Sequence, residues 1–212
     1  MLWLTDDISF PPYETATEEG IIALGGDLSV KRLVYAYKKG IFPWFSQGEP
    51  IVWYCPPTRM VLFPDELKIS KSMKQIIKKN KFLITENTAF EKVIANCKNI
   101  PRKGELGTWI TDSMQKAYIK LYKKGWAKSI EVWFLDGEEK KTLVGGLYGV
   151  DLGNGVFCGE SMFSKMANTS KLAFIYLAQS ELYKLIDCQV YNSHLASLGA
   201  REIARETFLK WL

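Results

Sequence analysis

From residue 60 onward the apolar positions switch repeatedly between strand and helix spacing. Residues 60–63 form a short apolar run stopped by Pro64, the signature of a strand. A helix is expected to start near Ser70. Its Met73, Ile76 and Ile77 share one face, and Lys71, Lys74 and Lys78 share the other. Residues 82–85 read as a strand. Thr88-Ala-Phe-Glu91 has the form of a capping box, and the helix behind it puts Phe90, Val93, Ile94 and Cys97 on one side. A polar loop with Arg102 and Lys103 follows at 100–107. Thr111 then caps a helix with the stripe Met114, Ala117, Tyr118 and Leu121, ended by Gly125. Residues 130–135 are a strand, and Asp136-Gly137 begins the turn into the next one.

The stretch from Thr142 to Asn192 carries the most information. Residues 142–150 are rich in β-formers but broken by Gly145, Gly146 and Gly149, and glycine inside a strand marks a bulge or a close backbone approach. Asn154-Gly155 is a hairpin signal, with 156–163 as the partner strand. Asn168 is a candidate cap for a helix reaching to about Lys184. Residues 172–178 of that helix are apolar almost all round, so it should lie against a sheet. Residues 185–190 are short, apolar and bounded, which suits a buried strand. After residue 60 the order is strand, helix, strand, helix, helix, strand, strand, strand, helix, strand. This is a mixed α/β fold (a mixed sheet, α+β in part) with antiparallel hairpins and a late β-α-β crossover.

The first 60 residues differ. Residues 20–28, GIIALGGDL, are an apolar run closed by a Gly-Gly-Asp turn with no nucleotide-loop pattern. Ser29 caps a helix over 30–39, stopped by Gly40. The aromatic segments 40–45 and 51–57, set between prolines, resemble neither helix nor regular strand. They are either a small core under loops or a stacking platform for a base. Composition changes around Pro56-Pro57, which divides the chain into a small N-terminal domain, 1–60, and a larger one, 61–212.

Composition narrows the chemistry. The chain has 212 residues, 47% of them hydrophobic, with no run long enough to span a membrane. Its first residues lack the basic lead and apolar core of a signal peptide. Cys55, Cys97, Cys158 and Cys188 are scattered, which suits reduced thiols in a cytoplasmic protein. The single histidine, His194, makes a zinc site implausible and reads as a loop or surface residue. The net charge of +5 is a modest pointer to an anionic partner. Lys68, Lys71, Lys74, Lys78, Lys79 and Lys81, with no acid among residues 67–81, are either a solvated helix face, the usual meaning of such a run, or a contact to a phosphate backbone, which the lack of acids favours. Against this background Glu160 at the end of one apolar strand and Asp187 inside another are out of place. By strand alternation the Gln189 side chain should share the face of Asp187. Any one of them alone reads as part of a structural polar network or a water-facing edge strand; the three together, on ends of strands that should be neighbours, favour a candidate site.

Several stretches together resemble the bacterial leucyl/phenylalanyl-tRNA–protein transferases. They are GIIALGGDLS at 20–29, GIFPWFSQGEPIVWYCP at 40–56, ISKSMK at 69–74, GTWIT at 107–111, SIEVW at 129–133, LVGGLYGV at 143–150, FCGESMFS at 157–164, SKLA at 170–173, LIDCQV at 185–190 and HLASLGA at 194–200. The resemblance covers nearly the whole chain. It implies transfer of Leu or Phe, with Met tolerated, from aminoacyl-tRNA to the N-terminal Arg or Lys of a protein, which marks the product for degradation. It also implies an N-acetyltransferase-like domain behind a small N-terminal one, no cofactor or metal, no membrane association, and a monomer.

Residue by residue, Asp187 and Gln189 match the family's catalytic pair, Asp187 polarising Gln189 and Gln189 contacting the attacking amine. The proton acceptor stays open between Asp187 through water, Gln189 and the tRNA's own 2′-hydroxyl. Glu160 resembles the carboxylate that holds the basic N-terminal residue. Leu147, Phe157, Phe174 and Leu177 fall where the family lines its side-chain pocket. Trp44 and Trp109 match aromatics that grip the terminal adenosine, and Lys71, Lys74, Lys78 and Lys79 lie in its basic helix. An acyl-coenzyme-A enzyme of the same fold is disfavoured, because Ser164-Lys-Met-Ala-Asn168 lacks the glycines of a pyrophosphate loop. A non-catalytic RNA-binding protein would not need Glu160, Asp187 and Gln189.

Overall fold

The computed structural model describes residues 2–101, 109–136 and 141–212. The polar loop with Arg102 and Lys103 and the turn at Gly137 lie outside them. Two sheets organise the chain. The first contains β1 (Leu2–Leu4), β2 (Ile21–Gly25), β3 (Phe42–Pro43) and β4 (Val52–Tyr54) in the order β1-β2-β4-β3, accompanied by helix α1 (Val30–Lys38). Ser29 caps α1 by accepting a hydrogen bond from the Arg32 N–H at 3.2 Å. The aromatic segments, expected to be irregular, do form strands: β3 and β4 pair antiparallel, Phe42 with Tyr54 and Pro43 with Trp53. Pro43 is tolerated because β3 is an edge strand, where a missing N–H breaks no ladder. Trp53 is fully buried and its indole N–H donates to the Gly25 carbonyl at 2.9 Å.

The second sheet holds β5 (Thr58–Leu62), β6 (Phe82–Glu86), β7 (Ala127–Leu135), β8 (Lys141–Asp151), β9 (Val156–Ser164), β10 (Leu185–Gln189) and β11 (Arg201–Ala204), in the order β11-β5-β10-β9-β8-β7-β6. Every neighbouring pair is antiparallel except β9 and β10, which are parallel and joined across α5 (Thr169–Ala178). Alternating strand residues feed two cores. Trp133, Leu143, Tyr148 and Cys158 pack with α3 (Phe90–Asn99) and α4 (Asp112–Lys123); Val132, Val144, Leu147 and Phe157 pack with α5. The expected order of elements over 60–190 holds, with α2 at Lys71–Lys78. The short α6 (Ser193–Ala196), β11 and α7 (Arg205–Leu209) had no clear pattern in the sequence.

Four local expectations are corrected. Helix α5 stops at Ala178 and not near Lys184: the Ser180 hydroxyl donates to the Leu177 carbonyl at 2.8 Å, and Glu181 takes a left-handed φ of 59°. Asn168 sits before α5 with φ 69° and makes no side-chain cap; the Thr169 hydroxyl lies 2.9 Å from the Val144 carbonyl and ties the helix to β8. Thr88 does not cap α3, because its hydroxyl is drawn to the buried Glu131 carboxylate at 2.7 Å. On α2 only Met73 is buried and Ile77 is 42% exposed, so this helix meets the core along a line and not a face. Ser70 does cap it, accepting from the Met73 N–H at 3.2 Å.

The strand glycines are there for space. A Cβ on Gly145 would lie 2.4 Å from both Cβ and Oγ1 of Thr169, and one on Gly149 would lie 2.3 Å from the Cys158 carbonyl, at the β8–β9 bulge. The sheet and α5 are thus closer than any side chain at 145 permits. Gly145→Ala should destabilise the protein by about 1–3 kcal/mol, the usual cost of overpacking. Urea unfolding checks this; a loss under about 0.5 kcal/mol would mean that α5 can move away freely.

Candidate active site

The sheet splits between β9 and β10. Their parallel pairing runs Leu185 with Val156, Ile186 with Phe157 and Asp187 with Cys158, and goes no further. Past Asp187, β10 bulges in its register against β5, and Gln189 adopts a left-handed φ of 64°. A cleft of about 480 Å³ fills the split. The turn has a local cause, since Asp187 Oδ1 accepts the Gln189 backbone N–H at 2.8 Å, as short acids do in turns.

Asp187 is fully buried and its charge is answered by Arg59, itself 1% exposed. Arg59 Nε donates to Oδ1 at 2.8 Å and Nη2 donates to Oδ2 at 2.7 Å, a two-pronged pair. Its Nη1 donates to the Gly40 carbonyl at 3.0 Å, and its guanidinium carbon stands 4.6 Å from the ring centres of both Phe42 and Phe208. Both oxygens of Asp187 are therefore engaged by protein donors.

Glu160 lies on the α4 side of the split, 8% exposed. Tyr37 Oη donates to its Oε1 at 2.6 Å, Tyr118 Oη donates to its Oε2 at 2.8 Å, and the two phenol oxygens touch each other. Gln189 Nε2 completes the cluster by donating to Oε1 at 2.8 Å. Among the three oxygen–oxygen contacts, two phenols supply only two protons. When Glu160 is protonated it donates to one phenol, that phenol turns its own proton to the other, and the ring of three hydrogen bonds closes; when it is ionised both phenols donate to it and their mutual contact has no proton. Burial pushes the Glu160 carboxyl up to about 8, against the pull of the two hydroxyls. Burial, and then the neighbouring Glu160, push both phenols well above their usual range, so they remain donors.

The expectation that Gln189 shares the face of Asp187 is corrected by these bonds. The bulge rotates the Gln189 side chain to Glu160, while Asp187 holds only its backbone. The amide is oriented by a carboxyl on the next strand, not by its neighbour two residues away. Arg59, Tyr37 and Tyr118 were absent from the sequence-derived site. The available signals were an arginine inside the apolar run Thr58–Leu62 and two tyrosines within helical apolar stripes.

The remaining cleft walls come from both faces of the sheet. Leu147, Phe157, Phe174 and Leu177, each at most 3% exposed, form an apolar end on the α5 side. Trp44, 43% exposed, and the half-buried Trp109 stand at its rim. Lys71, Lys74, Lys78 and Lys79 are exposed on α2 and do not line the cleft. His194, expected on a loop or at the surface, lies in α6 and lines the cleft half-buried; burial, then Lys171, lowers its pKa. Burial and Asp187 drive the Cys188 thiol far above its usual range, so it offers no thiolate. Among the described residues no three His, Cys, Asp or Glu side chains gather as a metal site, and no helix is long and apolar enough to cross a membrane.

The family model described as "Leucyl/phenylalanyl-tRNA protein transferase" matches residues 61–212, and the model of that family's N-terminal domain matches residues 26–57. A leucyl/phenylalanyl-tRNA–protein transferase of Flavobacterium johnsoniae is 58% identical, covering 100% of this chain and 99% of the relative. One from Flavobacterium psychrophilum is 54% identical with the same coverage. One from Syntrophus aciditrophicus is 54% identical over 95% of this chain and 83% of the relative. Among solved structures, FemX aligns at a TM-score of 0.49 with 8% identity, over 74% of this chain and 64% of that one. Matched from end to end by relatives this similar, the chain belongs to the leucyl/phenylalanyl-tRNA protein transferase family.

Proposed function

We propose that the split in the sheet is where this chain transfers Leu or Phe from an aminoacyl-tRNA to the N-terminal Arg or Lys of an acceptor protein. The observation that carries this is a cleft open to both faces of the sheet. An apolar pocket lies on one face, and a carboxyl–amide cluster lies on the other. The tRNA ester is already activated. The enzyme's task is to hold the acceptor amine against the ester carbonyl, form the amide bond, and let the tRNA 3′-hydroxyl leave with a proton.

Leu147, Phe157, Phe174 and Leu177 take the transferred side chain. They offer no hydrogen bond, so they measure size and shape: Leu and Phe fill the space and smaller donors leave part of it empty. Trp44 and Trp109 stack the terminal adenosine at the rim, and the α2 lysines Lys71, Lys74, Lys78 and Lys79 meet the phosphate backbone. Glu160 receives the basic side chain of the acceptor. Because the Gln189 amide nitrogen is committed to Glu160, its carbonyl oxygen is left to accept an N–H of the attacking amine. Asp187, with both oxygens occupied, is a positioning residue that sets the Gln189 turn. Residues 61–212 are the catalytic domain and residues 1–60 a small domain that contributes Tyr37, Phe42, Trp44 and Arg59, the last from the start of β5, which crosses this boundary. A monomer and a cytoplasmic setting complete this reading.

The test is transfer from Leu-tRNA to an Arg-initiated peptide, read against pH. In the free enzyme Glu160 holds its proton below about pH 8 and must release it to pair with a cationic side chain. Acceptor KM should therefore fall about tenfold per pH unit on approaching 8 and then level off. The titration of the peptide amine is common to all variants. Glu160→Gln should thus lose the part of the profile due to Glu160 and show a raised KM throughout, and profiles that run in parallel would remove Glu160 from acceptor binding.

Asp187→Asn should lower turnover about a hundredfold, the scale of a misplaced catalytic group. It should also lower stability by about 3–5 kcal/mol, because Arg59 is left buried without its counter-charge. Parallel measurement of turnover and denaturant midpoint separates these effects, and normal turnover would exclude Asp187 from positioning Gln189. Replacing Lys71, Lys74 and Lys78 together should flatten the salt dependence of tRNA binding by a slope of roughly 2–3. An unchanged slope would leave these lysines as a solvated surface.

A further inference from the structure

The nine residues of β9 pair with β8 as far as Ser164, but with β10 only at Val156, Phe157 and Cys158. Beyond that point, among the described residues, no strand covers the second edge of β9. The six consecutive residues 159–164 all line the cleft. Side chains alternate between the faces of a strand, so a cavity against one face would touch every second residue. Six in a row mean that the cavity runs along the strand's edge.

The register says what that edge presents. The Lys165 N–H donates to the Val144 carbonyl at 2.7 Å, and Phe163 and Ser161 stand opposite Gly146 and Tyr148. In an antiparallel ladder the residues bonded to the partner strand alternate. Residues 165, 163 and 161 therefore face β8, and Met162 and Ser164 turn their N–H and C=O toward the cleft.

We infer that the acceptor polypeptide binds as an added strand along this edge of β9. The inference rests on the transferase reading above and extends it past the first acceptor residue. Met162 and Ser164 offer donors and acceptors in alternation, about 7 Å apart along the strand. An aminoacyl ester has no repeating backbone to match them, and phosphates can only accept, whereas a polypeptide supplies both at this spacing. The direction follows from the chemistry. The acceptor's first residue sits at Glu160 and Gln189, where β9 and β10 part, and the chain leaves toward Ser164. It thus lies parallel to β9. Such pairing reads main chain and not side chains, which suits an enzyme whose acceptors need share only their first residue.

The experiment uses Arg-initiated peptides methylated on one backbone nitrogen at a time, at positions two to five, with Leu-tRNA as donor. Methylation removes the N–H and leaves the side chain. The expected result is a KM raised at least about tenfold at alternate positions, little change between them, and an unchanged kcat throughout. Normal transfer with a KM that is flat across the series would overturn the added strand and leave the transferase standing. No transfer to the unmethylated parent peptide would overturn the transferase reading, and this inference with it.

Discussion

The site depends on one buried ion pair. Removing Arg59 and Asp187 from water costs several kcal/mol per ion, and their attraction repays this only with good geometry and satisfied hydrogen bonds. Here the pair is two-pronged, Arg59 also reaches the Gly40 carbonyl, and Phe42 and Phe208 cover the guanidinium. The arrangement is expensive, and its return is positional. Asp187 fixes the Gln189 backbone in a left-handed turn, the turn ends pairing with β9, and the cleft exists because that pairing ends.

The second constraint is proton supply in the Glu160 cluster. A carboxyl enclosed by two tyrosines and an amide is stable when neutral, so it sits poised until a cation arrives. An acceptor's guanidinium or ammonium would reverse the balance by favouring the ionised form. On the proposed reading, recognition of the basic residue and ionisation of Glu160 are one event. Water, which offers no such charge, does not trigger it.

Much of this was legible in the sequence because it rests on periodicity. The order of elements over 60–190 follows from strand and helix spacing, and the caps at Ser29, Ser70 and Thr111 from side chains that bond the nearest free N–H. Glu160, Asp187, Gln189, the four pocket residues and the two tryptophans all line one cleft. What failed were inferences that a distant partner overrides. Thr88 looked like a cap until Glu131, 43 residues away, claimed its hydroxyl. Alternation placed Gln189 beside Asp187, but a bulge, which alternation does not foresee, turned it to Glu160. Arg59 was passed over because nothing local explains a charge in that strand; its partner is 128 residues further on.

The ring of Phe208 on Arg59 has a consequence for how the enzyme comes into being. Arg59 is made early, between the two sheets, and needs Phe42 behind it and Asp187 beside it, yet its outer face stays bare until α7 is added. A nascent chain lacking Phe208 carries a guanidinium open to water on one side, and an ion pair weakened by that hydration. The Gln189 turn hangs on that pair. The docking of α7 is thus linked, through Arg59 and Asp187, to completion of the site.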